Sequence, residues 1–226
     1  MDILIQLLKD NLATVGAIIS FLFGVWQYTK AQKLKHIDNL FIIRKDIEGF
    51  MQQSHTKTVH TLTDYVSYKF EKLNVNDFVM PDVYLNDEYI SYALRPHAKN
   101  GSFHPFEVHL REVFDNYFTE LEKYYYYLKI GVFDVDFLRP YLGYYIQIQA
   151  NILSDRKKTE HLQALHNYIA TYYPNNLCKF YKLFGYTIKY KNLPYTKPER
   201  YQEWIEKLNE KMEIQQEQTQ QKAAIL

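Results

Sequence analysis

The segment Asn11–Thr29 constrains the fold most, because it contains nineteen residues without a charge. As an α-helix, at about 1.5 Å per residue, it would be roughly 28 Å long, close to the thickness of a bilayer's hydrocarbon core. The chain begins MDILIQLLKD and continues KAQKLKH after Thr29, without the basic start and small-residue cleavage site of a signal peptide. The sequence therefore predicts a retained transmembrane helix over residues 1–30.

Basic residues are concentrated on one side of this segment. Lys9 alone precedes it, whereas five basic residues follow it closely: Lys30, Lys33, Lys35, Arg44 and Lys45. The positive-inside rule then places the C-terminal part in the cytoplasm, with Trp26 and Tyr28 at the cytoplasmic interface. Two other interpretations stay open here, a helix that only anchors the chain and a helix buried in a protein core.

Small residues recur at helical spacing within the segment. Gly16, Ser20 and Gly24 are four residues apart, and Gln27 continues the same stripe toward the basic end. In lipid, small residues let helices approach closely, so such stripes mark helix–helix contacts. We predict self-association into a homo-oligomer through this stripe. A ring of such helices, with Gln27 facing water, would form a pore across the lipid bilayer.

The remainder of the chain is predicted to be all-α, since no segment shows sustained alternation of apolar and polar residues. Helical spacing extends the first helix to about residue 53, with Gly49 as a place where it can break, and predicts a second helix over Val59–Leu73. Residues 74–105 contain three prolines and one glycine and are predicted to be a long connection, or a short helix within loops. Later helices are predicted from Phe106 to before Gly131, around Pro140, after Ser154 or Asp155, over 177–186 and from about Pro198.

These elements suggest four parts. The transmembrane helix at 1–30 is followed by a juxtamembrane helix and an irregular connection at 31–104. A helical domain occupies 105–212, and residues 213–226 form a glutamine-rich tail that is expected to be flexible. The formal net charge of +1 provides no overall attraction to nucleic acid or anionic lipid, so such contacts would require local patches.

The stretch SDRKKTEHLQALH carries Arg156 and His161, separated by four residues. With Ser154 or Asp155 as N-cap, Arg156 lies in the first turn of a helix, where backbone N–H groups favour phosphate. A guanidinium can hold two phosphate oxygens and an imidazole can move a proton near neutral pH. The pair can thus support metal-independent RNA cleavage, or it can simply be a charged first turn followed by a half-buried histidine.

Lysines accompany this motif. Lys157 and Lys158 stand beside Arg156, and the range 177–198 contains five lysines and no acid among tyrosines and phenylalanines: Lys179, Lys182, Lys189, Lys191 and Lys197. Basic residues interleaved with aromatic rings can bind single-stranded nucleic acid by charge and stacking. The candidate RNA-binding residues are Lys157, Lys158, Lys179 and Lys182, although a solvated lysine face would show the same pattern.

No metal or cofactor is predicted. His97, His104 and His109 are close in sequence, but their spacings do not share a helix face and no cysteine or carboxylate pattern completes a zinc site. The chain has no glycine-rich phosphate loop and no nucleophile signature. His166 follows His161 in the same helix and is expected to be packed rather than reactive.

The motif RKKTEH in a helical domain resembles the HEPN superfamily, whose RNases usually build one composite site from two motif copies. One N-terminal span, a small helical domain and this divergent motif together resemble the membrane accessory proteins of type VI-B CRISPR systems, which enhance an RNA-guided RNase effector. The resemblance covers the whole architecture, and its sharp motif is Arg156 to His161.

That resemblance implies an oligomeric pore in the bacterial inner membrane that depolarises the infected cell, with a functional partnership with the effector. Lys157 stands where HEPN nucleases often have asparagine or histidine after the arginine. We therefore expect a non-enzymatic antiviral effector in which Arg156 and His161 serve RNA sensing or subunit contact. The alternatives are a membrane-tethered, metal-independent HEPN RNase and an anchored scaffold.

Overall fold

The computed structural model describes residues 2–64, 67–70, 74–75, 78–79, 83–97, 102–150 and 159–225. The chain consists of two compact units, Met1–Gly49 and Phe50–Leu226. Among the described residues there are eight helices, and the only strands are four of two to four residues each. The all-α fold class is confirmed.

The first unit belongs to a single helix, α1, which runs Asp2–Gln52. Every residue from Gly16 to Asn39 is exposed. The long helix predicted from the sequence is confirmed, and it does not break at Gly49, because one glycine in a helix costs only about 1 kcal/mol relative to alanine. In the part of the chain that the structure describes, no helix combines the length and the apolar character needed to cross a membrane.

The region between α1 and the main helices contains short strands that the sequence did not predict. Helix α2 covers Ser54–Asp64, β1 covers Ser67–Phe70, and β1 pairs antiparallel with β4, Val83–Asn86. The predicted helix over Val59–Leu73 is therefore wrong in its second half. Aromatic and β-branched residues face each other across this pair, as in Phe70 opposite Val83, and such cross-strand pairs stabilise strands. A second pair joins β2, Asn74–Val75, to β3, Phe78–Val79.

Five further helices follow the short α3, Asp87–Ala93. They are α4 at Pro105–Lys129, α5 at Val135–Ala150, α6 at Thr159–Tyr172, α7 at Leu177–Leu183 and α8 at Tyr201–Ile225. The helix predicted to stop before Gly131 is confirmed, because Gly131 adopts φ 73°, a conformation that glycine tolerates best. Residues 213–225 continue α8, so they are helical, and the flexibility of this tail stays a prediction.

Helix α6 is the centre of the second unit. Every residue from Leu162 to Ile169 is buried, and α6 packs against α3, α5 and α7. The predicted buried positions Leu162, Leu165 and Ile169 are confirmed. An amphipathic helix would leave its remaining side to water, but this side of α6 is also covered. It carries two buried amides, Gln163 and Asn167.

Candidate nucleic-acid interface

A segment without helix or strand, residues 186–197, is attached to α6 through buried amides, and we call it the lysine strap. Asn167 Nδ2 donates to Lys191 O at 2.6 Å, and Asn167 Oδ1 accepts from Lys191 N at 2.8 Å. Gln163 Nε2 donates to Lys189 O at 2.8 Å and to Asn167 Oδ1 at 3.1 Å. The amide of Asn167 thus pairs with both backbone groups of Lys191, as a neighbouring strand would.

The strap presents its charges to solvent. Lys189, Lys191 and Lys197 are exposed, and Tyr190 is 57 % exposed between the first two. Lys179 and Lys182 are also exposed, on α7. A row of ammonium groups with an accessible ring can contact phosphates and stack on a base. Because the backbone of the strap is fixed by α6, such contacts would require little ordering of the chain.

The arginine and histidine motif is only partly visible. Arg156, Lys157, Lys158 and the predicted N-cap fall within 151–158 and lie outside the described residues. At His161 the structure describes the backbone, as the third residue of α6, but not the side chain. Position 161 lies about 160° around α6 from position 163, which faces the strap. The structure therefore does not bring position 161 and the strap lysines to one side of α6.

A groove of about 420 Å³ opens between α3 and the end of the strap. One wall carries Glu88, Ser91 and Tyr92, which share a face of α3, and the other is formed by residues 193–199. Both walls provide hydrogen-bonding groups and rings. The volume falls in the ordinary range of small-ligand pockets, about 300–1,000 Å³.

Buried charges hold the ring of Tyr92 in place. The Arg95 guanidinium lies over it, with Cζ 4.0 Å from the ring centroid. Glu107, only 2 % exposed, binds Arg95 through both oxygens at 2.6 and 3.0 Å and accepts a hydrogen bond from Tyr201 at 2.7 Å. Burial alone would raise the pKa of Glu107, but hydrogen bonds from Arg95, Tyr201 and the His104 amide lower it overall, so the carboxylate is charged at neutral pH.

Tyr195 closes the other wall of the groove with a strained backbone. Its φ is 38°, a left-handed conformation that costs a residue with a side chain about 1–3 kcal/mol. Asn167 Nδ2 donates to the Tyr195 hydroxyl at 2.8 Å, so the amide that binds Lys191 also fixes this ring. Strain of this kind persists where the surroundings determine one conformation, and Tyr195 is one of the residues that line the groove.

The second buried polar cluster is a hub around Gln149. Its Oε1 accepts from Tyr181 at 2.6 Å and its Nε2 donates to Tyr117 at 3.0 Å, while its backbone O bonds to His166 Nε2 at 3.0 Å. Burial lowers the pKa of His166 to about 4, so the ring is neutral at pH 7. The prediction that His166 is packed is confirmed, since it is 1 % exposed.

His97, His104 and His109, which are close in sequence, have separate contacts in the structure. His104 caps α4, where its Nδ1 accepts from Phe106 N at 3.2 Å, and the ring of His97 packs edge-on against Phe103. His109 Nδ1 is 3.9 Å from Glu112. Over the described ranges, no three histidine, cysteine or acidic residues are placed to hold an ion.

Comparisons with known proteins assign no role to these residues. The chain matches no protein-family model, no curated protein and no solved structure. The roles proposed below for the strap and the groove rest on the contacts of their own residues, together with the resemblance of the sequence motif.

The sequence did not reveal which residues build the strap and the groove. Gln163 and Asn167 are four residues apart in an otherwise apolar helix, and that polar pair is the signal that could have identified a buried backbone clamp. Glu88 and Tyr92 have the same spacing on α3, but nothing in the sequence connects them to residues about one hundred positions later. The groove depends on tertiary packing that the sequence pattern does not contain.

Proposed function

We propose that the protein is a homo-oligomeric, single-pass membrane protein that permeabilises the bilayer, with Phe50–Leu226 on the cytoplasmic side as an RNA-sensing unit. The observation that carries this proposal is the exposure of large apolar side chains on α1 within residues 11–29. Eight of them are 45–70 % exposed: Ile18, Ile19, Phe21, Leu22, Phe23, Val25, Trp26 and Tyr28.

These side chains surround the helix. Consecutive residues such as Phe21, Leu22 and Phe23 point in directions about 100° apart, so no single partner helix can cover all three. Apolar surface in water costs roughly 25 cal/mol per Å², and a lipid environment removes that cost around the whole circumference. Lipid therefore accounts for this exposure better than a one-sided protein contact does.

The small stripe supports self-association. A Cβ added at Gly16 or at Gly24 would meet no atom within 4 Å, so nothing in the chain itself requires glycine there. Ser20 and Gln27, on the same stripe, are exposed as well. In a membrane helix, small residues at these positions would allow a second copy of α1 to approach closely. A helix interrupted by two glycines is only moderately apolar, and association also covers these weaker positions.

The basic end of the segment has the side chains of a membrane interface. Lys30 Nζ lies 5.2 Å from the centroid of the Trp26 ring, and Gln32 Nε2 donates to the Tyr28 hydroxyl at 3.0 Å. Tryptophan and tyrosine beside lysine are typical of the level of lipid headgroups. This arrangement supports a cytoplasmic second unit, and the resemblance to type VI-B accessory proteins supports a role in antiviral defence beside an RNA-guided effector.

Replacing Gly24 with leucine should reduce oligomerisation and membrane leakage together. Purified wild-type chain in lipid vesicles is expected to release an entrapped dye, and Gly24→Leu or Gly16→Leu should reduce the initial rate at least tenfold, because leucine keeps the stripes apart. Val25→Leu, a lipid-facing change beside the stripe, is the matched control and should leak like wild type. A wild-type chain that is monomeric in mild detergent and leaves vesicles sealed would exclude the pore.

An RNase is the second candidate, because a guanidinium and an imidazole such as those of Arg156 and His161 can together support metal-independent RNA cleavage. We expect wild-type protein with single-stranded RNA and a chelator to show no cleavage. We also expect His161→Ala to weaken protection of cells against phage without removing a nuclease activity. Metal-independent cleavage that His161→Ala abolishes would replace the sensing role with an enzymatic one.

A further inference from the structure

We propose that the groove between α3 and residues 193–199 binds one base of a single-stranded RNA whose phosphates contact the lysine strap. The inference deepens the RNA-sensing part of the proposed function and does not depend on the pore. It assigns a binding site to Glu88, Tyr92 and Tyr195, none of which belongs to the HEPN-like motif.

The charges around the groove select this kind of ligand. Glu88 and Glu199 line it as exposed carboxylates, and they oppose a bare anion inside the groove. Lys197 also lines the groove, and Lys191 lies earlier on the strap. Their positive charges oppose a small cation as well. A nucleotide satisfies both conditions when its uncharged base enters the groove and its phosphate stays outside beside the lysines.

The rings provide the surface on which a base can stack. Tyr92 lines the groove, with Cζ of Arg95 4.0 Å from its ring centroid and the ring of Tyr201 packed at a steep angle, the two ring centroids 5.1 Å apart. A base against Tyr92 would therefore extend an existing stack. Tyr195 stands on the opposite wall, fixed by Asn167. Aromatic stacking tolerates every base, so it supplies affinity rather than sequence preference.

The hydrogen-bonding groups supply a preference. The carboxylate of Glu88 lies one helical turn before Tyr92 and can only accept hydrogen bonds when ionised. It is therefore suited to the exocyclic amino group of cytosine or adenine, which carboxylates and amides recognise in nucleic acids. Uracil lacks an amino group, and we expect it to bind least well.

Fluorescence anisotropy with twelve-nucleotide homopolymers of C, A and U, using the full chain in mild detergent, tests the groove. Wild type should bind oligo-C or oligo-A at least fivefold more tightly than oligo-U. Tyr92→Leu should weaken all three about tenfold, a loss typical of removing one stacked base. Glu88→Gln should remove the preference between bases and keep the thermal midpoint of wild type, since Glu88 is exposed.

Two controls separate this site from general attraction to charge. Lys191→Gln should weaken binding of every sequence equally and lower the salt dependence by about one counterion. Tyr126→Leu changes an exposed tyrosine of α4 that lies outside both the strap and the groove, and it should leave the affinity and the base preference unchanged. Equal affinities of wild type and the Glu88 and Tyr92 variants would overturn the groove while RNA sensing stands. No RNA binding by wild type would overturn both, and vesicle leakage would still report on the pore.

Discussion

Replacing Glu107 with alanine is expected to lower the free energy of unfolding of the second unit by about 3–5 kcal/mol, the usual cost of removing one partner of a buried ion pair. The carboxylate binds the guanidinium of Arg95, the hydroxyl of Tyr201 and the backbone amide of His104. Without it, the charge of Arg95, whose side chain is only 14 % exposed, would have no counter-ion there. Helix α4 would also lose its capping box.

Thermal unfolding of the full chain in detergent, followed by circular dichroism, measures this effect. For a unit of this size the loss corresponds to a fall in the midpoint on the order of 10 °C. Glu112→Ala is the matched control, because Glu112 is on the same helix but exposed, and it should change the free energy by less than about 0.5 kcal/mol. Equal midpoints for the two variants would show that the Glu107 contacts do not stabilise the unit.

Glu107→Ala is expected to affect RNA binding in the groove as well as stability. Arg95 lies over Tyr92 because Glu107 holds it, so the loss of Glu107 should also weaken the stacking surface. In a preparation kept well below its midpoint, Glu107→Ala should weaken binding of all RNA homopolymers, as Tyr92→Leu does. The base preference that we assign to Glu88 should remain, since Glu88 does not contact this ion pair.

Helices of the second unit could be predicted from the sequence because local signals mark them. Pro105 and the capping residues before Glu107 begin α4, and Gly131 ends it. The strand pair between 67–70 and 83–86 could not be predicted in the same way. Each strand has only four residues, which is too short for alternation to be recognised, and its stability comes from a partner more than ten residues away.

Of the candidate site, the sequence indicated only the basic residues. The lysines of the strap stand out in the sequence, and Lys179 and Lys182 are exposed on α7, while their role in RNA binding stays a prediction. Their relation to position 161 was not predictable, because it depends on which side of α6 carries Gln163 and Asn167. These amides are buried by elements distant in sequence, and a polar residue in a helix would ordinarily be assigned to the solvent side.

Mild acid is expected to destabilise the second unit strongly through two buried histidines. His60 is 9 % exposed and stacked on Tyr145 at 3.5 Å between ring centroids, and burial lowers its pKa from 6.5 to about 4, as it does for His166. Above pH 6.5 both rings are neutral in the folded and unfolded chain, so stability is complete. As pH falls from 6.5 toward 4, only the unfolded chain takes up protons, and stability is lost.

Between pH 7 and pH 5 each histidine should lower the free energy of unfolding by about 2 kcal/mol, or about 4 kcal/mol together. The thermal midpoint would fall on the order of 10 °C over this interval. His60→Phe keeps a ring on Tyr145 and removes one titrating group, so it should reduce this fall by the contribution of His60, about 2 kcal/mol. His36→Gln, an exposed change in the first unit, should leave it unaltered.

The outcome distinguishes a packed histidine from one that meets a counter-charge. If the midpoint stays constant between pH 7 and pH 5, both rings must be able to accept a proton in the folded state. The interpretation that His60 and His166 are held neutral by burial would then be wrong. If His60→Phe removes the whole fall, the hydrogen bond of His166 to Gln149 O survives protonation. An acid-induced loss shared equally by the two rings requires that both sites exclude charge, which is the property that burial of His60 and His166 would impose.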